Sequence, residues 1–240
     1  MPQESCAIVL AGGASTRFGS DKLKVLIDGM SLLDRVISVA STVTPDVMVV
    51  GRVHGDIQSI DEPGEHIGPL NAIGYALAFA SVDHALVLAG DHPYLHHSIL
   101  DLILDLLDGH EAVVPVSHDG RPQPLVAGYH RSIRPMITDA VDRGERSIRG
   151  ILNELDVRWI QPEEWTRIDP DGLSFMDIDT VSDLELLGDA SIIIAEQAES
   201  HTSYLGGPGA ASDDGPGAAS GTASPGDTSG AGGTSSPTED

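Results

Sequence analysis

Apolar residues in this chain come in short runs broken by Gly, Pro and Asp, and the runs alternate between two periods. "CAIVLA" (Cys6 to Ala11), "DVMVVG" (Asp46 to Gly51) and "HALVLAGD" (His84 to Asp91) are continuous apolar stretches, the pattern of strands buried on both faces. Between them, "SLLDRVISVAS" (Ser31 to Ser41) sets Leu32, Leu33, Val36, Ile37 and Ala40 at helical spacing. "GPLNAIGYALAFA" (Gly68 to Ala80) also reads as helix, and "SILDLILDLL" (Ser98 to Leu107) as a strongly amphipathic one. Further on, "EAVVPVS" and "PLVAGYH" predict strands around the turn "HDGRPQ", helical text covers Ser132 to Val141 and Ser147 to Leu155, and "VRWIQ" predicts a strand. "SFMDIDT" (Ser174 to Thr180) predicts a short strand that leads into a closing helix, "VSDLELLGDASIIIAEQA".

Strands alternating with helices imply βαβ units and a parallel sheet. The expected fold is α/β, a three-layer α/β/α, Rossmann-like domain with a mostly parallel mixed sheet. Ligands of such sheets bind outside the carboxyl ends of the strands. A Gly-rich loop follows the first strand, Asp91 ends the third, and Asp177 and Asp179 lie in the last, so all would meet at one edge.

Composition divides the chain in two. Residues 1–200 have the size of one domain with a sizeable core. From His201 onward the text is almost entirely Gly, Ala, Ser, Thr, Pro and Asp, with "GPGAAS" twice, too little apolar surface to offset the entropy of ordering; 201–240 is expected to be a disordered low-complexity tail. No apolar run approaches a membrane span. "MPQESCAIVLAGG" lacks a basic leader region, and a lone Cys6 inside a strand reads as a buried thiol, so a cytoplasmic protein is expected.

The formal charge of -24 argues against nucleic acid or an anionic membrane as the main partner. Any phosphate-rich ligand must then be captured locally, by a basic site or a metal. The only lysines in 240 residues are Lys22 and Lys24, both in "LAGGASTRFGSDKLK" (Leu10 to Lys24). This loop is neither a Walker A loop, which needs Gly-Lys-Ser/Thr after four residues, nor the dinucleotide pattern GxGxxG. It does offer Gly12 and Gly13 for close backbone approach to a phosphate, with Ser15, Arg17 and Lys22 able to surround an anion. The histidines of "HALVLAGDHPYLHH" do not form a zinc pattern, because Pro93 breaks the helical spacing of His92 and His96 and no cysteine stands nearby. Arg121 in "HDGRPQ" and Arg143, Arg146 and Arg149 in "DRGERSIRG" are candidates to meet an acidic acceptor.

"LAGGASTRFGSDK" resembles the signature loop of the small nucleotidyltransferases whose type members make molybdenum cofactor dinucleotides; Leu10, Ala11, Gly12, Gly13, Ser15, Arg17, Phe18, Gly19, Asp21 and Lys22 carry the resemblance. "DEPGEHIGPL" is similar to that family's base and sugar segment, "LAGDHPYL" to its metal-binding segment and "MDIDTVSDL" to its closing strand and turn. The resemblance implies a triphosphate held by the backbone of Gly12, Gly13 and Ala14 and by Arg17 and Lys22. It further implies Asp61 near the nucleoside, magnesium on Asp91, and Asp177 on the second side of the metal. The implied activity is magnesium-dependent transfer of GMP from GTP to the phosphate of molybdopterin. Other activities compatible with the same motifs are cytidylyl transfer to that pterin, guanylyl transfer to phospholactate and nucleotide binding without turnover. The sequence leaves the oligomeric state open.

Overall fold

The computed structural model describes residues 4–12, 18, 21–61, 68–185 and 192–194. The predicted tail, and Gly13, Ala14 and Arg17 of the opening loop, lie outside the described residues.

Chain order gives β1 (Ser5–Leu10), β2 (Leu26–Ile27), β3 (Met30–Ser31), α1 (Leu32–Val43), β4 (Asp46–Val50), β5 (Gln58–Ile60), α2 (Pro69–Ala76), β6 (His84–Ala89) and α3 (His97–Leu107). Then follow β7 (Ala112–Pro115), β8 (Val126–His130), α4 (Arg134–Asp142), β9 (Val157–Ile160), α5 (Pro162–Trp165), α6 (Val181–Glu185) and β10 (Ile192–Ile193). Seven strands form one sheet in the order β5-β4-β1-β6-β8-β7-β9. β1 pairs in parallel with both β4 and β6, while β8 runs antiparallel to β6 and β7, which makes the sheet mixed as expected.

The three layers follow from β1 itself. Ala7 and Val9 enter one apolar cluster, with Leu32, Val36 and Ile37 of α1 and Ile99 and Ile103 of α3. Cys6 and Ile8 face the other, with Leu70 and Ile73 of α2 and Ile137 and Ala140 of α4. Alternate side chains of one strand therefore need two covering layers, and the amphipathic helices supply them. Full burial of a side chain such as Ile8 contributes about 1.5–3 kcal/mol. Ser31 caps α1 by accepting from the Asp34 N–H at 3.1 Å, and His96 caps α3 by accepting from the Ser98 N–H at 3.2 Å.

Two expectations are corrected at the end of the domain. "SFMDIDT" is not a strand: Leu173–Phe175 makes a 3-10 turn and 176–180 runs without regular structure. Among the described residues no strand pairs with it; its Ile178 N–H donates instead to the Asp91 carbonyl at 3.1 Å, and the Ile178 side chain is fully buried. The closing helix is described only over Val181–Glu185, and Ile192–Ile193 pairs antiparallel with Leu26–Ile27 in a small second sheet. A run of three isoleucines suits a strand edge better than a helix. Ser147–Leu155, read as helical, holds a 3-10 helix over Ile148–Glu154.

Candidate functional site

Two backbone bonds lace the carboxyl ends of the strands together, and a third ties the 176–180 segment to them. The Ala11 N–H donates to the Val50 carbonyl at 2.8 Å, the Gly90 N–H to the Leu10 carbonyl at 3.0 Å, and the Ile178 N–H to the Asp91 carbonyl. The strand order reverses around β1 and β6, which puts the crevice between Leu10 and Asp91 at the place where open α/β sheets take ligands. Gly51 makes the close approach of β1 and β4 possible. It sits at φ 93°, and a Cβ there would meet the Gly12 Cα at 2.6 Å.

The lysine and the carboxylates converge. Leu23, 6% exposed, pins the 3-10 turn Lys22–Lys24 into the core and separates the two lysines. Lys22 reaches inward, its Nζ donating to Asp91 Oδ2 at 2.7 Å and to Asp179 Oδ1 at 2.8 Å. Lys24 remains in solvent, with its side chain 68% exposed. Burial alone would pull the Lys22 ammonium down, but the Asp91 and Asp179 carboxylates outweigh it and hold its pKa above the usual lysine value. For Asp91, burial works upward and is overcome by the His92 hydrogen bond and by the charges of His92 and Lys22, leaving its pKa well below the usual carboxylate range. Both groups are charged at neutral pH.

Asp179 is set in place by its own segment. Ile178 anchors in the core, and Asp183 Oδ2 accepts from the backbone N–H of Asp179 at 2.9 Å and of Thr180 at 2.6 Å, closing the turn at the start of α6. The second carboxylate beside Asp91 is thus Asp179, whereas Asp177, given the metal role by the resemblance, lies on the wall of the neighbouring cavity. Asp61 is exposed at the end of β5, on the far side of β4 from Asp91. Leu10 and Ala11 sit with Gly12 at the mouth of the crevice, Ala11 fully buried.

Arg52 was missed by sequence reasoning. Its Nε donates to the Ala11 carbonyl at 2.8 Å and its Nη1 to Asp21 Oδ2 at 2.7 Å, so one guanidinium clasps both ends of the Gly-rich loop. The signal available was an arginine directly after a glycine at a strand end, in a chain poor in cations.

Beside Asp91 opens a cavity of about 630 Å³. Its lining includes His92, Arg121, Gln123, Arg149, Trp165 and Asp177. Two separate basic candidates of the sequence therefore meet here, and a glycine explains how. Gly68, at φ 115°, leaves room for the Arg146 carbonyl, which a Cβ would approach to 2.9 Å; that carbonyl accepts from the Leu70 N–H at 3.1 Å. The Ser147–Arg149 segment is drawn against the start of α2, and Arg149 Nη2 donates to the Pro122 carbonyl at 2.8 Å. Trp165 is packing: fully buried, it donates Nε1 to the Val116 carbonyl at 3.0 Å and meets Phe175 edge to face at 4.9 Å.

A doubly wound sheet that gathers a Gly-rich loop, an inward lysine and two carboxylates at its carboxyl edge, next to a polar cavity, defines a nucleotidyltransferase. The sequence profile described as "MobA-like NTP transferase domain" matches residues 7–159, and the chain belongs to that family. The molybdenum cofactor guanylyltransferase of Desulfosudis oleivorans is 31% identical over 185 residues, covering 74% of this chain and 91% of that protein. The probable molybdenum cofactor guanylyltransferase of Bacillus subtilis is 31% identical over 192 residues, covering 77% and 94%. The crystal structure of molybdopterin-guanine dinucleotide biosynthesis protein A from Archaeoglobus fulgidus superposes with a TM-score of 0.66 at 25% identity, covering 83% of this chain and 99% of that one.

Proposed function

We propose that this enzyme transfers GMP from GTP to the phosphate of molybdopterin and releases pyrophosphate. The observation that carries the reading is the convergence of Lys22, Asp91 and Asp179 beside the Gly12 strand end, with a basic-walled cavity adjoining. Family relatives named for this activity support the acceptor and the base.

An oxygen of the acceptor phosphate attacks the α-phosphorus of GTP, a new phosphoric anhydride bond forms, and the bond to the bridging oxygen of pyrophosphate breaks. The acceptor, with a second pKa of about 6, is its own nucleophile at neutral pH, so no general base is required. Catalysis then rests on in-line placement and charge neutralisation. Arg17, Lys22 and the backbone at Gly12 and Gly13 are the groups assigned to the triphosphate. Arg121 and Arg149 are assigned to the acceptor, and Asp61 to the nucleoside.

A divalent ion suits the acidic pair. Asp91 and Asp179 are bridged by the Lys22 ammonium at 2.7 and 2.8 Å, so their oxygens are close enough together to share one cation; a divalent ion held by the pair would take the place of Nζ and turn Lys22 toward the triphosphate. Among the described residues, no three His, Cys, Asp or Glu side chains gather to hold a metal by themselves. A site of one or two carboxylates completed by phosphate oxygens is the habit of magnesium, which when bound neutralises charge on the transferring phosphates. The residues to hold it are Asp91 and Asp179. No described helix is long and apolar enough to cross a membrane; a cytoplasmic location is part of the proposal.

The base assignment is tested by pyrophosphate release with GTP and with CTP, using molybdopterin as acceptor. GTP is expected to be preferred. A methyl at Gly12 would meet the Gly51 Cα at 3.5 Å, an ordinary contact, so Gly12→Ala should keep its melting temperature. That methyl points to the β4 side, toward the edge where Asp61 stands, and should shift the GTP-to-CTP ratio toward CTP by about tenfold, the worth of one methyl in a fitted site. A wild-type preference for CTP overturns the guanylyl assignment.

The acceptor assignment predicts a separation of constants. Arg121→Ala with Arg149→Ala should raise the acceptor KM by about tenfold, the loss of two exposed charge contacts of roughly 0.5–1 kcal/mol each, and leave the KM for GTP unchanged. An unchanged acceptor KM in steady-state kinetics would remove the cavity from the acceptor site.

A further inference from the structure

His92 is the residue in the metal-binding segment that the proposed reaction has not used. It is 6% exposed, lines the cavity beside Asp91, and stands with Nδ1 3.0 Å from Asp91 Oδ1. The two oxygens of Asp91 thus have different partners: Oδ1 meets His92, and Oδ2 meets Lys22 at 2.7 Å. An ionised carboxylate can only accept, so the proton of this bond is on His92 Nδ1 whatever the state of the other ring nitrogen. An imidazole that turned away would leave a carboxylate oxygen of the largely buried Asp91 without its partner. Its backbone is held too, since the His92 carbonyl accepts from the Leu95 N–H and Pro93 fixes the chain direction.

We infer that His92 is a positioning residue for nucleotidyl transfer: it fixes one oxygen of Asp91 so that the other is presented to the cation position shared with Asp179. Partners of this kind are how a ligand carboxylate is oriented around a metal, and their loss typically reduces metal affinity or activity by roughly 10–100-fold. The inference rests on the nucleotidyltransferase reading of the site.

The test compares His92→Leu, His92→Asn and His92→Gln. The asparagine amide nitrogen lies two bonds from Cβ, as Nδ1 does, whereas that of glutamine lies three bonds away, where the other ring nitrogen stands. Mn²⁺ affinity is measured by electron paramagnetic resonance in the presence of GTP, alongside kcat, KM and melting temperature. His92→Leu is expected to weaken Mn²⁺ by about tenfold or more and to lower kcat by a similar factor with the KM for GTP little changed. His92→Asn should recover to within about threefold of wild type and His92→Gln should not. If the leucine variant does not fold, the contrast between asparagine and glutamine decides. Equal Mn²⁺ affinity in those two, or wild-type affinity in His92→Leu, overturns the role. Absence of Mn²⁺–GTP binding in the wild-type enzyme would instead overturn the functional reading on which it rests.

Discussion

Asp91→Asn is expected to lower turnover by about a hundredfold, a barrier increase of roughly 2.7 kcal/mol, while leaving the fold intact. The substitution keeps the shape of the side chain and the acceptor that His92 Nδ1 faces at 3.0 Å. Lys22 retains Asp179 at 2.8 Å, so no cation is stranded. What disappears is one of two negative charges at the position proposed for magnesium. The melting temperature should move by only a few degrees. A magnesium titration of pyrophosphate release checks the result: the midpoint should rise steeply, and a wild-type midpoint would place the ion elsewhere.

Lys22→Ala is expected to lower turnover by about tenfold or more, at least about 1.4 kcal/mol of transition-state stabilisation. Its Nζ is the cation that the fold directs into the crevice, and no other lysine can substitute, because Lys24 lies in solvent beyond the buried Leu23. Lys24→Ala is the matched control and should behave nearly as wild type. Removing Lys22 also leaves Asp91 and Asp179, 16% and 48% exposed, without their shared counter-ion. The variant should therefore lose about 1–3 kcal/mol of stability. Assays below its melting point and at saturating substrates separate the two effects. Wild-type turnover under those conditions would remove Lys22 from the catalytic machinery.

The strands and helices most legible in the sequence were those with strong local periodicity: β1, β4, β6, α1 and α3 all fall where the apolar pattern puts them. β5 escaped notice because three residues at a sheet edge, only one of them buried, carry almost no pattern. The stretch from Ser174 to Thr180 has strand-like alternation, yet its alternate burial comes from Ile178 docking beside Asp91 rather than from a neighbouring strand. Periodicity reports which side of a segment is buried and not what buries it.

The candidate site divides in the same way. Asp91 could be chosen from sequence because it directly follows a readable strand, and Lys22 because it is one of only two lysines and ends the glycine-rich loop. Periodicity could not rank Asp177 and Asp179, since a period of two puts both on one side; the resemblance chose Asp177, whereas Asp179 is the one that stands with Asp91 on Lys22. Arg52 went unnoticed, and Arg121 and Arg149 could be named only as separate candidates, because what joins their segments is long-range backbone contact, as when the Arg146 carbonyl meets the Leu70 N–H. The sequence alone determined the layered α/β class, through buried strands alternating with amphipathic helices, and the loop that carries the site's ammonium, through the scarcity of lysine and the glycines before it. Tertiary structure decided which aspartate completes the acidic pair, which arginines face the cavity and that His92 holds Asp91. Those are relations between residues distant in the chain, fixed by how the two cores close on the sheet and not by any local preference.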